Sequence, residues 1–336
     1  MTIDFAALLK EIGRGKHAAR SLNLEQSQAL GSALAANTVP DGVLGGILIA
    51  LRMKGESASE LLGLYRGLNE SPQTRPLRMI SSANKVTPLV IPSYNGARRH
   101  PNLLPLLALV LRELDIPVLI HGPRAVAGRT ATISILEMLG YAPARDLVDA
   151  QTQLEQARLA YVPIDLLSPA LARLLAWREI LGVRNVGHTL VKLLEPMDAP
   201  MLRLIGTTHT AYRDLLGEFL RATGGNAVLM RGHEGEAVAS PQRMPALEWI
   251  VSGETSALPA LAASLSFDAA LEALPGLDAA DTARWIRAVL DHRDGPMIPR
   301  ALGEQAIRLV LISGRTTTLE SARELVLQRF NLGHAA

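Results

Sequence analysis

The stretch TPLVIPSYNGARRHPNLLPLLALVL, residues 87–111, decides the fold. A short apolar run ends at Ile91, a polar loop follows over 92–102, and a longer apolar run extends from Leu103 to Leu111. Strand, loop and helix in that order is the unit of an α/β sheet, and the loop occupies the position where such proteins hold phosphate with glycine-rich backbone and a helix N-terminus. Here the loop has one glycine, Gly96, and two arginines, Arg98 and Arg99. It suits either a phosphorylated small molecule or something larger and more negative.

The same alternation continues outward from this unit. Strands are expected at Val86 to Ile91, Ile116 to Ile120, Arg158 to Val162, Met201 to Ile205 and Ala227 to Met230, and helices at Asn102 to Leu114 and up to Leu139. This pattern predicts a mostly parallel sheet with helical crossovers. Before it, the first 70 or so residues read as short helices. Phe5, Leu8, Leu9 and Ile12 share a helical face, Asn23 with Gln26 and Ser57 with Glu60 form capping boxes, and Asp41 opens a helix that stops near Gly55. Asn69 to Pro76 has linker composition. A helical insert is expected over about Pro169 to Leu194, and helices again at Phe267 to Ala273, Ala279 to Asp291, Arg300 to Ser313 and Leu319 to Phe330. The domains expected are 1–72, completed by helices from about 169–194, and an α/β domain over 77–336.

Composition sets bounds on function. Hydrophobic residues make up 48 % and charged residues 20 %, a globular balance. Cysteine is absent, which excludes disulfides and thiolate metal sites and fits a reducing compartment. The N-terminus lacks a signal-peptide core and no apolar run is long enough to span a bilayer, so a soluble, cytoplasmic protein without membrane contact is expected. Net charge is +2, only mildly basic, so clustering of cations decides whether a polyanion is the partner. No Gly-x-Ser-x-Gly elbow and no His/Glu zinc spacing occur. Aromatics, at 4 %, are too few for an extended base-stacking platform.

Specific segments resemble the anthranilate phosphoribosyltransferase family, which shares its fold with pyrimidine nucleoside phosphorylases. ALRMKGESASELLGL, Ala50 to Leu64, is similar to the helix-turn-helix of that family's N-terminal domain. VLIHGPR, Val118 to Arg124, is similar to its second strand and Lys-His-Gly-Asn-Arg loop. REILGVRNVGHTLVKLLEP, Arg178 to Pro196, is similar to its Arg-x-x-Leu-Gly-x-Arg-Thr-x-Phe-Asn segment, and MRGHEGEAVA, Met230 to Ala239, to its metal segment. The resemblance covers nearly the whole chain in order. It implies a small N-terminal helical domain and a larger α/β domain with a mostly parallel central sheet and a helical insert.

The donor machinery of that family is altered. Its Gly-Thr-Gly-Gly-Asp loop closes backbone N–H groups on a pyrophosphate; the matching place reads Pro92-Ser93-Tyr94-Asn95-Gly96. Its Asn-x-Ser-Thr becomes Asn102-Leu103-Leu104-Pro105, its loop lysine becomes Ile120, and the aspartate of its metal pair becomes Gly235 while Glu236 stays. Magnesium needs hard carboxylate oxygens, so losing one of two weakens the site. The residues left of a ligand pocket are Tyr94, Asn95, His121, Gly122, Arg178, His188 and Glu236. Arg178 stands where the family holds the anthranilate carboxylate.

What replaces the donor site is basic. Arg98, Arg99, His100, Arg124, Arg129, Arg184, Lys192 and Arg231 are the expected phosphate contacts, with His233 nearby. The resemblance implies that their segments line one cleft. This combination is similar to the YbiB-type subgroup of the fold, and that likeness implies a homodimer formed through the N-terminal helices and binding of DNA or RNA with little base readout. No catalytic residue, metal or cofactor is expected on this reading. The alternatives are an active phosphoribosyl or pentosyl transferase with an altered donor site, built on Arg178, Arg124, His121 and Glu236, and a small-molecule sensor that kept the acceptor pocket.

Overall fold

The computed structural model describes residues 3–15, 18–78, 86–258, 274–291 and 296–332. Its backbone divides into two compact units, one made of Met1–Pro76 and Pro163–Pro196, the other of Leu77–Val162 and Met197–Ala336.

The first unit is helical: Phe5–Ile12, Leu24–Ala35, Asp41–Lys54 and Ala58–Asn69, followed after the excursion of the chain by Ile164–Leu167, Pro169–Leu181 and Gly187–Leu190. Local chemistry sets the starts. Asn23 and Gln26 exchange hydrogen bonds as a capping box, and Ser57 and Glu60 do the same. Asp41 is the first helical residue of its helix, which closes on Gly55 at φ 82°. Leu24–Ala35 and Ala58–Asn69 cross at glycines: a Cβ on Gly67 would lie 2.2 Å from Gln28 O, and one on Gly63 2.5 Å from Ser27 Cβ. Backbone there packs on backbone. Gly45 and Gly46 are close-packing positions too, against Trp177 and Leu9.

The second unit holds a seven-stranded sheet: β1 Leu89–Pro92, β2 Val118–Gly122, β3 Leu159–Pro163, β4 Leu202–Thr207, β5 Ala227–Arg231, β6 Leu247–Val251 and β7 Glu254–Leu258, in the order β3-β2-β1-β4-β5-β6-β7. β1 pairs parallel with β2 and β4, and β4 parallel with β5. These strands are almost wholly buried, which is why they read as largely apolar runs. Leu89, Ile91, Val118, Ile120, Leu204, Val228 and Met230 share one core with helix Leu104–Glu113 and with the C-terminal helices Ala279–Leu290, Arg300–Ile312 and Leu319–Arg329. The architecture is a helical bundle plus an α/β unit with a mostly parallel sheet.

The sequence reading assigns no element to β6 and β7, an antiparallel hairpin turning at Ser252 and Gly253 with φ 51° and 84°. Two residues at positive φ are the signature of a tight hairpin, and the Ser-Gly pair was its signal. Helices Leu147–Ala157 and Thr210–Thr223 are likewise additional to the expected elements. The helix expected at Phe267 to Ala273 falls outside the described residues.

Candidate phosphate-binding site

Parallel pairing brings the C-terminal ends of β1, β2 and β5 to one edge of the sheet, the edge at which open α/β sheets bind ligands. The loops leaving these strands are tied together. Ala97 and Thr130 exchange backbone hydrogen bonds of 3.0 and 2.8 Å, and Arg129 Nη1 donates to Gly96 O at 3.2 Å. Below them lies a buried polar network. Ser93 Oγ donates to Thr132 Oγ1 at 2.7 Å, and Asn102 Nδ2 reaches the same hydroxyl at 3.0 Å. Asn102 Oδ1 accepts the Leu104 N–H at 3.1 Å, satisfying a donor at the start of the following helix. Ser93 and Thr132 are absent from the sequence-derived site.

The loop after β5 supplies two carboxylates to the loop after β1. Glu236, 1 % exposed, accepts through Oε1 from the backbone N–H groups of Asn95 at 3.1 Å and Gly96 at 2.6 Å. Glu234 Oε2 accepts from the Arg98 N–H at 3.1 Å, and its Oε1 lies 3.0 Å from His100 Nδ1. The Glu234 carbonyl also accepts from Asn95 Nδ2. Glu234 and Gly235 hold φ values of 54° and 90°, a left-handed turn costly for the glutamate and sustained by these bonds. Burial pushes the Glu234 carboxyl upward, but hydrogen bonds from His100 and from the N–H groups of Arg98 and Arg99 outweigh it and hold the group below its ordinary range. The rings of His100 and His233 lie 4.8 Å apart. Burial, then the neighbouring His100, lowers His233 to about 4, against a weaker opposing pull from Glu234.

Each unit carries its own set of the expected residues. In the α/β unit Arg98, Arg99, Arg124 and Arg231 are exposed, and His100 and Arg129 are half-buried. Tyr94, at 5 % exposure, is packed and offers no open face for a base. Asn95 is buried beneath the carboxylates. Gly122 is required by close approach: a Cβ there would lie 1.8 Å from Ser93 O. His121 is fully buried, neither ring nitrogen has a hydrogen-bond partner among the described residues, and burial lowers it to about 3.

In the helical unit Arg178 and Arg184 are half-buried, and His188 accepts the Asn185 N–H on Nδ1 at 3.3 Å. Burial, then Arg184 and Arg178, lowers His188 to about 3; Lys192 adds to this and the Asn185 hydrogen bond opposes it. Lys192, one of the expected phosphate contacts, is only 8 % exposed. Cation counting along the chain carries no side-chain direction. Glu234 is the residue that sequence reasoning missed; its signal was an acid beside Gly235, facing a basic loop in the same fold.

The glycosyl transferase family helical bundle domain matches residues 6–71. The Escherichia coli (strain K12) protein YbiB, itself uncharacterized, is 37 % identical over 330 residues, covering 98 % of this chain and 100 % of its own length. Anthranilate phosphoribosyltransferase from Methylocella silvestris is 28 % identical, covering 87 % of this chain and 82 % of its own. Among solved structures, the Thermus thermophilus anthranilate phosphoribosyltransferase has a TM-score of 0.74 at 24 % identity, covering 98 % of this chain and 94 % of that one. The Saccharomyces cerevisiae enzyme in complex with PRPP and Mg has a TM-score of 0.73 at 12 % identity, covering 97 % and 93 %.

Proposed function

Given that the chain belongs to the anthranilate phosphoribosyltransferase-like family, we propose that it binds nucleic acid through phosphate contacts, with little sequence preference, and does not transfer phosphoribosyl groups. The observation that carries this reading is the state of the loop after β1. Its backbone N–H groups at Asn95, Gly96 and Arg98 are already taken by Glu236 and Glu234, whereas Arg98 and Arg99 are exposed and carry no ion pair among the described residues. Arg231, at the end of β5 on the same sheet edge, is in the same condition. Exposed guanidiniums without acids are the groups that take phosphate and release counterions.

The residues present do not fit the magnesium ion of the family. Gly235 stands where the second carboxylate would be, and a Cβ there would meet Asn95 Nδ2 at 2.6 Å. Glu236 Oε1 is engaged with two N–H groups. Among the described residues no group of three or more His, Cys, Asp or Glu could hold a metal. The donor site is degraded on this reading, and no step passes through a metal.

The same reading includes a homodimer formed through the N-terminal helices. Met53, 78 % exposed on helix Asp41–Lys54, and Ile49 beside it are apolar groups that a second copy would cover. No helix among the described residues is long and apolar enough to cross a membrane.

Two titrations test the proposal together. Fluorescence anisotropy with unrelated labelled oligonucleotides is expected to give saturable binding at low salt, with affinities that differ little between sequences. Calorimetry with phosphoribosyl diphosphate and magnesium is expected to give no metal-dependent heat. Oligonucleotides that fail to bind, beside a sugar diphosphate that binds with magnesium, would overturn this proposal and revive the transferase reading.

A further inference from the structure

The loop after β1 keeps the backbone of an oxyanion site. Gly96 sits at φ 63°, the N–H groups of Asn95 and Gly96 converge on one oxygen, and the Arg98 N–H adds a third donor to a neighbouring carboxylate. Successive N–H groups turned toward one point form a concavity that binds anions. Here the converging oxygen is Oε1 of Glu236, which is 1 % exposed and whose bond to the Gly96 N–H is only 2.6 Å.

We infer that Glu236 and Glu234 are specificity-determining residues: their carboxylates occupy the loop's anion site as tethered occupants and exclude compact phosphates such as pyrophosphate. A carboxylate fixed in the fold competes at an effective concentration that a free metabolite reaches only in the millimolar range. The carboxylate charge that remains also repels an arriving phosphate at short range. The Arg98 and Arg99 side chains stay outside this internal pairing and remain available to phosphates spread along a chain. The site thus selects strung-out phosphate over compact phosphate by filling its own backbone donors. This inference rests on the reading that the loop no longer serves a sugar diphosphate donor, but it makes a separate measurement possible.

The test uses inorganic pyrophosphate as the probe and the full chain. Wild type is expected to show no saturable calorimetric binding below millimolar concentration. Glu236→Ala, which frees the Asn95 and Gly96 N–H groups, is expected to bind pyrophosphate at least about tenfold more tightly, with amide resonances of those two residues shifting on titration. Glu236→Gln, which keeps an acceptor oxygen in place, is expected to stay closed like wild type. The inference is overturned if wild type binds pyrophosphate at these amides, if folded Glu236→Ala binds no better than wild type, or if Glu236→Gln opens as far as alanine. Should Glu236→Ala not fold, amide hydrogen exchange in wild type decides. Slow exchange at Asn95 and Gly96, unmoved by pyrophosphate, is expected; fast exchange contradicts it. A gain of pyrophosphate binding by Glu236→Ala in a protein that ignores oligonucleotides would leave this inference standing and remove the nucleic-acid reading.

Discussion

Gly96 donates its backbone N–H to Oε1 of Glu236 at 2.6 Å, joining residues 140 apart in the sequence. The bond closes the loop after β1 onto the loop after β5 and leaves Gly235 pressed against Asn95. Gly235→Asp would restore the residue typical of the family's metal pair, yet it is expected to lower stability by about 1–3 kcal/mol because φ is 90° and the new Cβ would clash. Differential scanning fluorimetry and magnesium calorimetry check this together. A variant as stable as wild type that binds magnesium would contradict the geometry.

The helix crossing in the first unit makes a second prediction. Alanine is a better helix former than glycine by about 1 kcal/mol, so Gly67→Ala should stabilise helix Ala58–Asn69 on propensity alone. Its Cβ would instead lie 2.2 Å from Gln28 O and 2.5 Å from Ser32 N, both backbone atoms. A net loss of at least about 2 kcal/mol is expected in urea denaturation. Unchanged or raised stability would mean that the two helices do not meet at this glycine.

Glu60 is buried and serves several donors. It accepts the Leu22 N–H at 2.9 Å, the Ser57 N–H at 2.8 Å and Lys54 Nζ at 2.6 Å. Glu60→Ala removes the acceptor for all of them and leaves Lys54, itself nearly buried, without its acid. A cost of about 3–5 kcal/mol is expected. Lys54→Ala and the double variant complete a cycle whose coupling is expected to be favourable; additive losses would reduce Glu60 to a helix cap.

Acid sensitivity follows from the histidines. His121, His188 and His233 titrate at about 3, 3 and 4 in the fold, below the ordinary 6.5. The unfolded chain therefore takes up protons first as pH falls below 6.5, and stability drops steadily toward pH 3–4. Each unit of pKa difference corresponds to about 1.4 kcal/mol at most. The lowered carboxyl of Glu234 acts with the same sign at the acid end, its contribution being lost as it protonates. His121→Leu removes a fully buried ring whose nitrogens have no hydrogen-bond partner among the described residues. It is expected to be at least as stable as wild type at pH 7 and to show a shallower melting-temperature slope between pH 6.5 and 4. An unchanged slope would show that His121 is not the buried neutral group described.

The legible parts of this molecule are those set by short-range chemistry. Asn23 with Gln26, and Ser57 with Glu60, are capping boxes because both partners lie within one helical turn. β1, β2, β4 and β5 read as strands because parallel strands covered on both faces are mostly apolar, Arg203 in β4 and His121 in β2 being the buried exceptions. β6 and β7 escaped because Glu248 interrupts the apolar run of β6, and β7, almost wholly exposed, is polar over Glu254 to Ser256. At the site, the cations of residues 98–100 were visible as a cluster. The acids that organise them were not, since Glu234 reaches Arg98 and His100 across 136 and 134 residues. Lys192 shows the converse: a charge seen in the sequence that the fold buries.

The most direct test of the central claim, that exposed arginines hold phosphate in place of backbone amides and a metal, is the salt dependence of oligonucleotide binding by wild type and by the Arg98→Ala/Arg99→Ala double variant. Each guanidinium on a phosphate adds about one to the slope of log affinity against log salt. The account predicts a double variant with unchanged melting temperature, weaker binding to every sequence tried, and a slope lower by about two. An identical slope and affinity in the two proteins would contradict it.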